Sequence, residues 1–440
     1  MTRPATYRDV FAEPVFRLLF LSRSLAIAAD TLRMLALSVL VFASTGSAFL
    51  TAITFGIGFV PQVIGGALLG ALADRLPPRP LIVSGYLLEA VVAAAIALGR
   101  PPVGVSLALV AAVAVVTPVF NGASTRLVAE ALRGDSYVLG RSLSTVSSGA
   151  AQLVGLAAGG AAVAALGPVR ALLVTAGCHL VAALWVRLRL PAFGVLAAKA
   201  TSTARAGAGA GTPGELASRP GGTVGELASR PGATAAVRQS LTVTGRLLRD
   251  RDVRALMLVQ WLPPGFVVAA EALIVPLVAA RGFATGSAGL LLASVPLGML
   301  VGSLVMGRLV RPAVRERLVA PVLVALGVDV SLLAVPLPLP VMVGLLFVVG
   351  AGFSYSLGVQ RPFLDAVDPN LRGQAFAVLT TGLMTLQGLG PVVIGLIAQG
   401  VSIGAAMAVA GAGPVLIGLT WWYTRGRHGP CVPASAVGLG

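Results

Sequence analysis

Charge is scarce in this chain. Asp, Glu, Lys and Arg make up 11% of its 440 residues, against about 25% in a soluble domain. With 57% hydrophobic residues and a mean hydropathy of +0.93, the chain cannot cover itself with polar surface, so lipid must serve as its solvent. Cysteine is nearly missing as well. Cys178 falls in an apolar stretch and Cys431 in the C-terminal tail, which excludes a disulfide framework. No Gly-x-x-x-x-Gly-Lys-Ser/Thr loop is present, so ATP is not the expected direct energy source. A metal-ligand cluster and a nucleophile motif are absent too; no enzyme activity, metal or cofactor is expected. Negative charge is the scarcer sign, leaving a net +16. In a soluble protein that excess would point to nucleic acid. Here the arginines sit in short loops between apolar runs, which is the positive-inside pattern of a membrane protein, and no nucleic-acid partner is expected.

What the chain has instead is long apolar segments. Each span needs about 20 mostly apolar residues. Such segments run at 16–43, 48–72, 80–98, 103–127, 141–165 and 168–190, then at 252–280, 286–310, 317–336, 338–361, 372–399 and 402–424. The first is too long for the h-region of a cleaved signal and reads as a retained helix. If the N-terminus is cytoplasmic, all 32 lysines and arginines except Arg33, Arg100, Arg170 and Arg281 lie in cytoplasmic loops or near the inner ends of helices. An even helix number then puts both termini inside, in a multi-pass protein of the inner (plasma) membrane, with the lipid bilayer as its surroundings. Trp421, Trp422 and Tyr423, followed by Arg425 and Arg427, read as an interfacial anchor.

Four regions follow: a six-helix bundle at 1–190, a linker at 191–250, a second six-helix bundle at 251–428 and a tail at 429–440. The linker is rich in Gly, Ala, Ser, Thr and Arg and holds a tandem copy, Thr212–Gly221 and Thr223–Gly232. It reads as a duplicated flexible connector or, alternatively, a regulatory peptide. Leu241 to Arg254 has the pattern of an amphipathic helix at the membrane face.

The two bundles echo one another. Gly70-Ala-Leu-Ala-Asp-Arg-Leu-Pro-Pro-Arg79 is a charged turn between two spans, with a degraded copy at Gly307–Glu316 in which Arg311 replaces Asp74. Gly65 pairs with Gly302. Gln152 with Gly155 and Gly160 corresponds to Gln387 with Gly390 and Gly395, and Arg126 with Glu130 corresponds to Arg361 with Asp365, all at a nearly constant offset. Both halves begin and end on one side, so the repeat is parallel, about an axis along the membrane normal.

Twelve spans, a six-plus-six duplication, a long central loop and the 70–79 turn together resemble the major facilitator superfamily. The turn is similar to that family's loop between helices 2 and 3, with Gly70, Asp74, Arg75 and Arg79 at matching places and Pro77-Pro78 where Gly-Arg is usual. Asn121 to Gly160 is similar to the bacterial efflux branch of macrolide and siderophore exporters. Two departures stand out. The exporters' Gly-Pro pair of the fifth span is Gly155-Leu156 here and occurs instead as Gly390-Pro391 in the eleventh. The fourth span carries no arginine before Arg126, so the best-known proton-antiport scheme is not carried over. The resemblance implies an all-α integral membrane protein of twelve transmembrane helices in two pseudo-twofold-related bundles, monomeric, working by alternating access.

Ionisable groups within a span mark function by default. Arg23, Ala26, Asp30 and Arg33 follow 3-4-3 spacing and share one helix face. Gln260, Pro264 and Glu271 share a face of the seventh span. In the family fold both helices line the central cavity, so Asp30 and Glu271 are candidates for proton binding, with Arg33 as a partner that switches or, alternatively, as half of a permanent ion pair with either acid. Glu89 and Asp329 are expected on more peripheral helices. His179 is either a proton relay, since imidazole titrates near neutral pH, or a packing residue. Gln152, Gln260, Gln387 and Asn121 are candidates for contacting a small-molecule substrate, though the glutamines would serve equally for interhelical hydrogen bonds. Gly70, Asp74, Arg75, Arg79, Arg126 and Glu130 are expected to form a cytoplasmic gate in which Asp74 meets the N-terminus of the eleventh helix near Arg372, or else simply to set topology. Gly155, Gly160, Gly390, Pro391 and Gly395 permit close helix approach, for rocking or for packing alone. The expected function is secondary transport, with proton-coupled efflux of an amphiphilic drug or natural product foremost. A small-solute importer or symporter, or a non-transporting receptor or scaffold, are the alternatives.

Overall fold

In a computed structural model, residues 6–70, 72–132, 135–190, 242 and 244–427 are described. The described chain is helical throughout. A short α1 (Tyr7–Ala12) leads into α2 (Pro14–Thr45). The second span is broken into α3 (Ala48–Gly56) and α4 (Phe59–Leu69), and α5 (Leu72–Arg75) lies in the charged turn. Then come α6 (Pro78–Gly99), α7 (Val103–Ala131), α8 (Asp135–Leu166) and α9 (Pro168–Arg189). The second half has α10 (Arg251–Glu271), α11 (Ile274–Ala280), α12 (Ser287–Leu309), α13 (Pro312–Leu332), α14 (Leu339–Gly352), α15 (Ser356–Ala366), α16 (Arg372–Gly400) and α17 (Ile403–Arg427).

The boundaries follow local chemistry. Proline occupies the first turn of α2, α6, α9 and α13, where its missing N–H costs nothing. The Asp250 carboxylate caps α10 by accepting from the amides of Asp252 (2.9 Å) and Val253 (3.1 Å). α2 ends on Gly46 in the left-handed conformation, φ 64°.

Eleven helical stretches among the described residues are long and apolar enough to cross a membrane. The twelfth expected, α13, falls short because Arg315, Glu316, Arg317 and Asp329 crowd its length. It nevertheless packs on α17 as α6 packs on α9. The same partnerships recur through both halves: α2 with α8 matches α10 with α16, and α4 with α7 matches α12 with α14. This is the duplicated architecture expected from the sequence. Exposed leucines such as Leu98 and Leu309 stand on outer faces, as a lipid-facing surface requires.

The tandem copy and Lys199 in the linker, and the tail at 429–440, lie outside the described residues. Of the expected amphipathic helix, residues 244–249 are helical and Leu247 is buried.

Among the described residues, the buried apolar clusters join the halves at one end and not at the other. Call the side carrying α1 and the C-terminal end of α17 the near side. On the far side a single buried cluster draws on both halves, including Leu35, Phe55, Leu156, Leu273, Leu291 and Val330. On the near side the clusters are separate. One gathers Val15, Ile82, Leu127 and Val186, and another gathers Met257, Leu323, Phe363 and Trp421. Far-side contact is made by α8 against α12 and by α3 and α4 against α16. Gly160 and Gly395 permit it: a Cβ at Gly160 would lie 2.8 Å from Gly286 O and Gly289 Cα, and one at Gly395 would lie 2.9 Å from Ala52 Cβ. Gly155 and Gly390 instead pack within their own halves, against α2 and α10.

Candidate functional site

The ionisable residues of the first half converge. α9 packs against both α2 and α6, which brings α6 residues to the polar face of α2. Arg33 Nη2 lies 3.0 Å from Asp30 Oδ1 and 3.3 Å from Glu89 Oε2. His179 Nε2 lies 3.5 Å from the same Asp30 oxygen. Glu89 and His179 are buried, at 4% and 1% exposure, whereas the Asp30 side chain is 40% exposed. Asp30 is therefore the most exposed member of the cluster. A cavity of about 110 Å³ borders it, walled by Arg23, Gln62, Tyr86, Thr117 and Asn121 together with Asp30, Glu89 and His179.

The histidine geometry constrains where hydrogens sit. His179 Nδ1 lies 3.0 Å from the Thr175 carbonyl oxygen, which can only accept, so Nδ1 carries its hydrogen. Nε2 then faces the Asp30 carboxylate with a lone pair unless a proton lies between them. Among the described residues Nε2 has no other hydrogen-bond partner. A proton between them would join the two side chains, and Arg33 links Asp30 to the second carboxylate, Glu89.

Asp30, Glu89 and His179 also present ligand atoms within 4.8 Å of one another, a spacing a metal ion could use. The Arg33 guanidinium already sits against both carboxylates and supplies the positive charge they need. A divalent cation would be repelled by it, so the donor set does not fit a metal.

Of the two pairings weighed for Arg33, the structure has the one with Asp30 and not the one with Glu271. Arg33 pairs with Asp30 and Glu89, and among the described residues no ion pair joins Glu271 to any group. Glu271 ends α10 between Ala270 and Ala272, in the far-side core shared by both halves. Glu89, expected on a peripheral helix, and His179, expected as either relay or packing, both belong to the Asp30 cluster. Asn121 accepts a hydrogen bond from Arg23, and both line the cavity. Gln260 donates to Leu256 O within its own helix (3.1 Å), and Gln152 is exposed. Gln387 sits in α16 one residue before Gly388, which packs on Phe59 and Val60 of the first half. Gln62 was not singled out in the sequence; its place on α4 beside Pro61 gave no periodic signal.

At the charged turn, Arg126 donates to Ala73 O (2.8 Å) and Leu76 O (3.2 Å) and pairs with Glu130 at 3.6 Å. Arg79 donates to Arg187 O at the end of α9 (2.5 Å). These bonds staple the first half to itself at the near side. In the second half Arg315 does the same for Gly307 O (2.7 Å) and Val310 O (2.8 Å). The side chains of Asp74 and Arg75 lie outside the described residues, and so does the expected latch of Asp74 onto α16.

Comparison with known proteins agrees with the architecture. Solved structures similar to this chain include the nucleoside transporter NupG, at 14% identity, covering 93% of this chain and 99% of that one with a TM-score of 0.68. A peptide transporter POT in complex with sulfate matches at 14% identity over 97% of this chain and 96% of its own, TM-score 0.67. A POT family transporter in complex with 5-aminolevulinic acid matches at 11% identity over 94% and 96%, TM-score 0.65. At such identities the likeness is one of fold. No protein of curated function matches in sequence. The family model described as Major Facilitator Superfamily matches residues 19–365, well over half of the sequence, and the chain therefore belongs to the major facilitator superfamily and is a membrane transporter, not an enzyme.

Proposed function

We propose that this transporter couples proton movement to export of an amphiphilic organic solute, and that Asp30, Arg33, Glu89 and His179 form the proton-binding unit. The observation that carries the reading is the contact of His179 Nε2 with Asp30 Oδ1, 3.5 Å apart, beside an arginine shared with a second buried carboxylate. Charged groups this deep in a bundle are costly and persist where they work. When Asp30 takes a proton, its hold on Arg33 weakens and the guanidinium turns to Glu89. When Asp30 loses it, Arg33 and His179 are drawn back. The two charge patterns bias the packing of α2 against α6 and α9, and through α2 the cavity. Glu271, alone in the far-side core, is a second candidate for proton binding.

A joined far side and a separated near side correspond to one of the two states of alternating access, with the cavity open to the side of the termini. With the termini cytoplasmic in the plasma membrane, as the arginine distribution supports, this is the inward-facing state. Arg79, Arg126, Glu130 and the Gly70 turn then belong to the gate region on that side. Export as the direction, a single-chain working unit and the four-region division rest on the sequence pattern and the resemblance.

The test uses cells lacking their own multidrug pumps. Fluorescent amphiphiles of neutral, cationic and anionic type are loaded, and efflux is followed with and without a protonophore. Export that collapses with the protonophore and with Asp30→Asn supports the proposal. Full, protonophore-insensitive export, or accumulation in place of export, overturns it.

A further inference from the structure

A second cavity, of about 280 Å³, opens between α2, α7 and α8 on the near side. Its chemistry differs from that of the buried cluster. Two guanidiniums, Arg23 and Arg141, line it, and none of the described residues lining it is acidic. Arg23 bonds the neutral Asn121 side chain and enters no ion pair among the described residues. Arg141 is exposed, and among the described residues its guanidinium makes neither a hydrogen bond nor an ion pair. Within the cleft the two cations repel each other and neither is closed into an ion pair; Asp30 and Glu89 reach Arg23 only from the neighbouring cavity, so an anion in the cleft relieves the repulsion.

The rest of the lining sets the shape of that anion. Thr125, Ser144, Thr145 and Ser148 donate their hydroxyl hydrogens to the carbonyls four residues back, at 2.8–3.1 Å. Their oxygens therefore turn accepting lone pairs to the cleft. Tyr137 and Ser124 also line it, and their hydroxyls make no hydrogen bond among the described residues. Phe20, Leu19 and Val128 supply an apolar wall. Arg23 and Asn121 also line the cluster cavity, so these two side chains stand between the cleft and Asp30, two helical turns further along α2.

We propose that this cleft binds an amphiphilic organic anion. Its carboxylate or phosphate oxygens are held by Arg23 and Arg141, its hydroxyl or N–H groups face the Ser/Thr oxygens, and its apolar part lies on Phe20 and Val128. The proposal rests on the reading of the chain as a transporter of an amphiphilic solute and names the charge of that solute. It also gives Arg23 a position from which bound anion and proton cluster act on one guanidinium.

The experiment is equilibrium titration calorimetry of the full chain in lipid nanodiscs, with empty nanodiscs as the blank. The probes share one alkyl chain and differ in head group: octanoate, octyl phosphate, octylammonium and octanol. Saturable binding of octanoate or octyl phosphate at least tenfold tighter than of the other two is expected, and the tighter of the two anions identifies the head group. Arg23→Gln and Arg141→Gln should each weaken anion binding tenfold or more, with Arg141→Lys recovering part of the loss. Arg141 is exposed, so its variants keep the test standing even where Arg23→Gln does not fold. Octylammonium binding as tightly as the anions, or folded arginine variants binding anions unchanged, would overturn the proposal. No pH gradient enters this measurement, so a failure of proton coupling and a failure of anion recognition are read separately.

Discussion

Arg33 is the residue on which the buried cluster balances. It lies within 3.3 Å of two carboxylates and is 13% exposed. Replacing it with methionine keeps the volume and leaves Asp30 and Glu89 uncompensated. Removing one partner of a buried pair costs about 3–5 kcal/mol, so Arg33→Met should show a clearly lowered melting temperature in detergent, with Glu89→Gln in the same background restoring part of it. An unchanged melting temperature would mean that water already solvates the pair. The residues of this cluster were unequally legible in the sequence. Asp30 and Arg33 announce themselves because they share a face of one helix, a relation that spacing fixes. Glu89 and His179 do not, because their proximity to Asp30 depends on how α6 and α9 are rotated about their axes. Helical spacing orders residues around one helix and is silent on which face a neighbour covers. For the same reason Glu271 could be placed in a span but not opposite Arg33.

At the scale of the element, the breaks in helices are where backbone groups need outside partners. In α10, Pro263 has no N–H to give the carbonyl of Val259, four residues back. Tyr355, at the 3₁₀ turn between α14 and α15, donates its hydroxyl hydrogen to that carbonyl at 3.0 Å. Trp261 ties the same helix to α16 by donating from Nε1 to Leu379 O at 2.7 Å. In hydrocarbon an unpaired carbonyl has no water to turn to. Tyr355→Phe should therefore destabilise the protein by about 1–3 kcal/mol, measured as the loss in midpoint of thermal unfolding. A wild-type midpoint would show that Val259 O has another donor. Prolines in the apolar spans are plain in the sequence. The tyrosine that completes Pro263 lies 92 residues away and could be found only from the packing.

At the scale of the whole molecule, the duplication was legible because both halves repeat the same glycine, glutamine and arginine positions, and the structure repeats the same helix partnerships. Which end of the molecule is closed was not legible. It depends on two faces of small residues coming together, and Gly160 offers the same signal whether its partner is in its own half or the other. The close approach at Gly160 makes a prediction. A leucine there would put side-chain atoms where Gly286 and Gly289 backbone atoms stand. Overpacking of this kind costs about 1–3 kcal/mol, and here the halves can relieve it by parting. Gly160→Leu should raise the labelling rate of Ala164→Cys by an impermeant thiol reagent and slow transport. Equal labelling in both backgrounds would contradict the view of the far side as a closed gate.

The central claim is that proton transfer at the Asp30 cluster drives the transport cycle. It is tested most directly in proteoliposomes loaded with a pH-sensitive dye, with an imposed pH gradient and the amphiphile that the cell assay identifies. The wild-type protein should accumulate that solute against its gradient while the dye reports proton movement in the opposite direction. Asp30→Asn should exchange solute down its own gradient but show neither uphill transport nor coupled proton flux. Uphill transport by Asp30→Asn at the wild-type rate, with the same dependence on pH, would contradict the account.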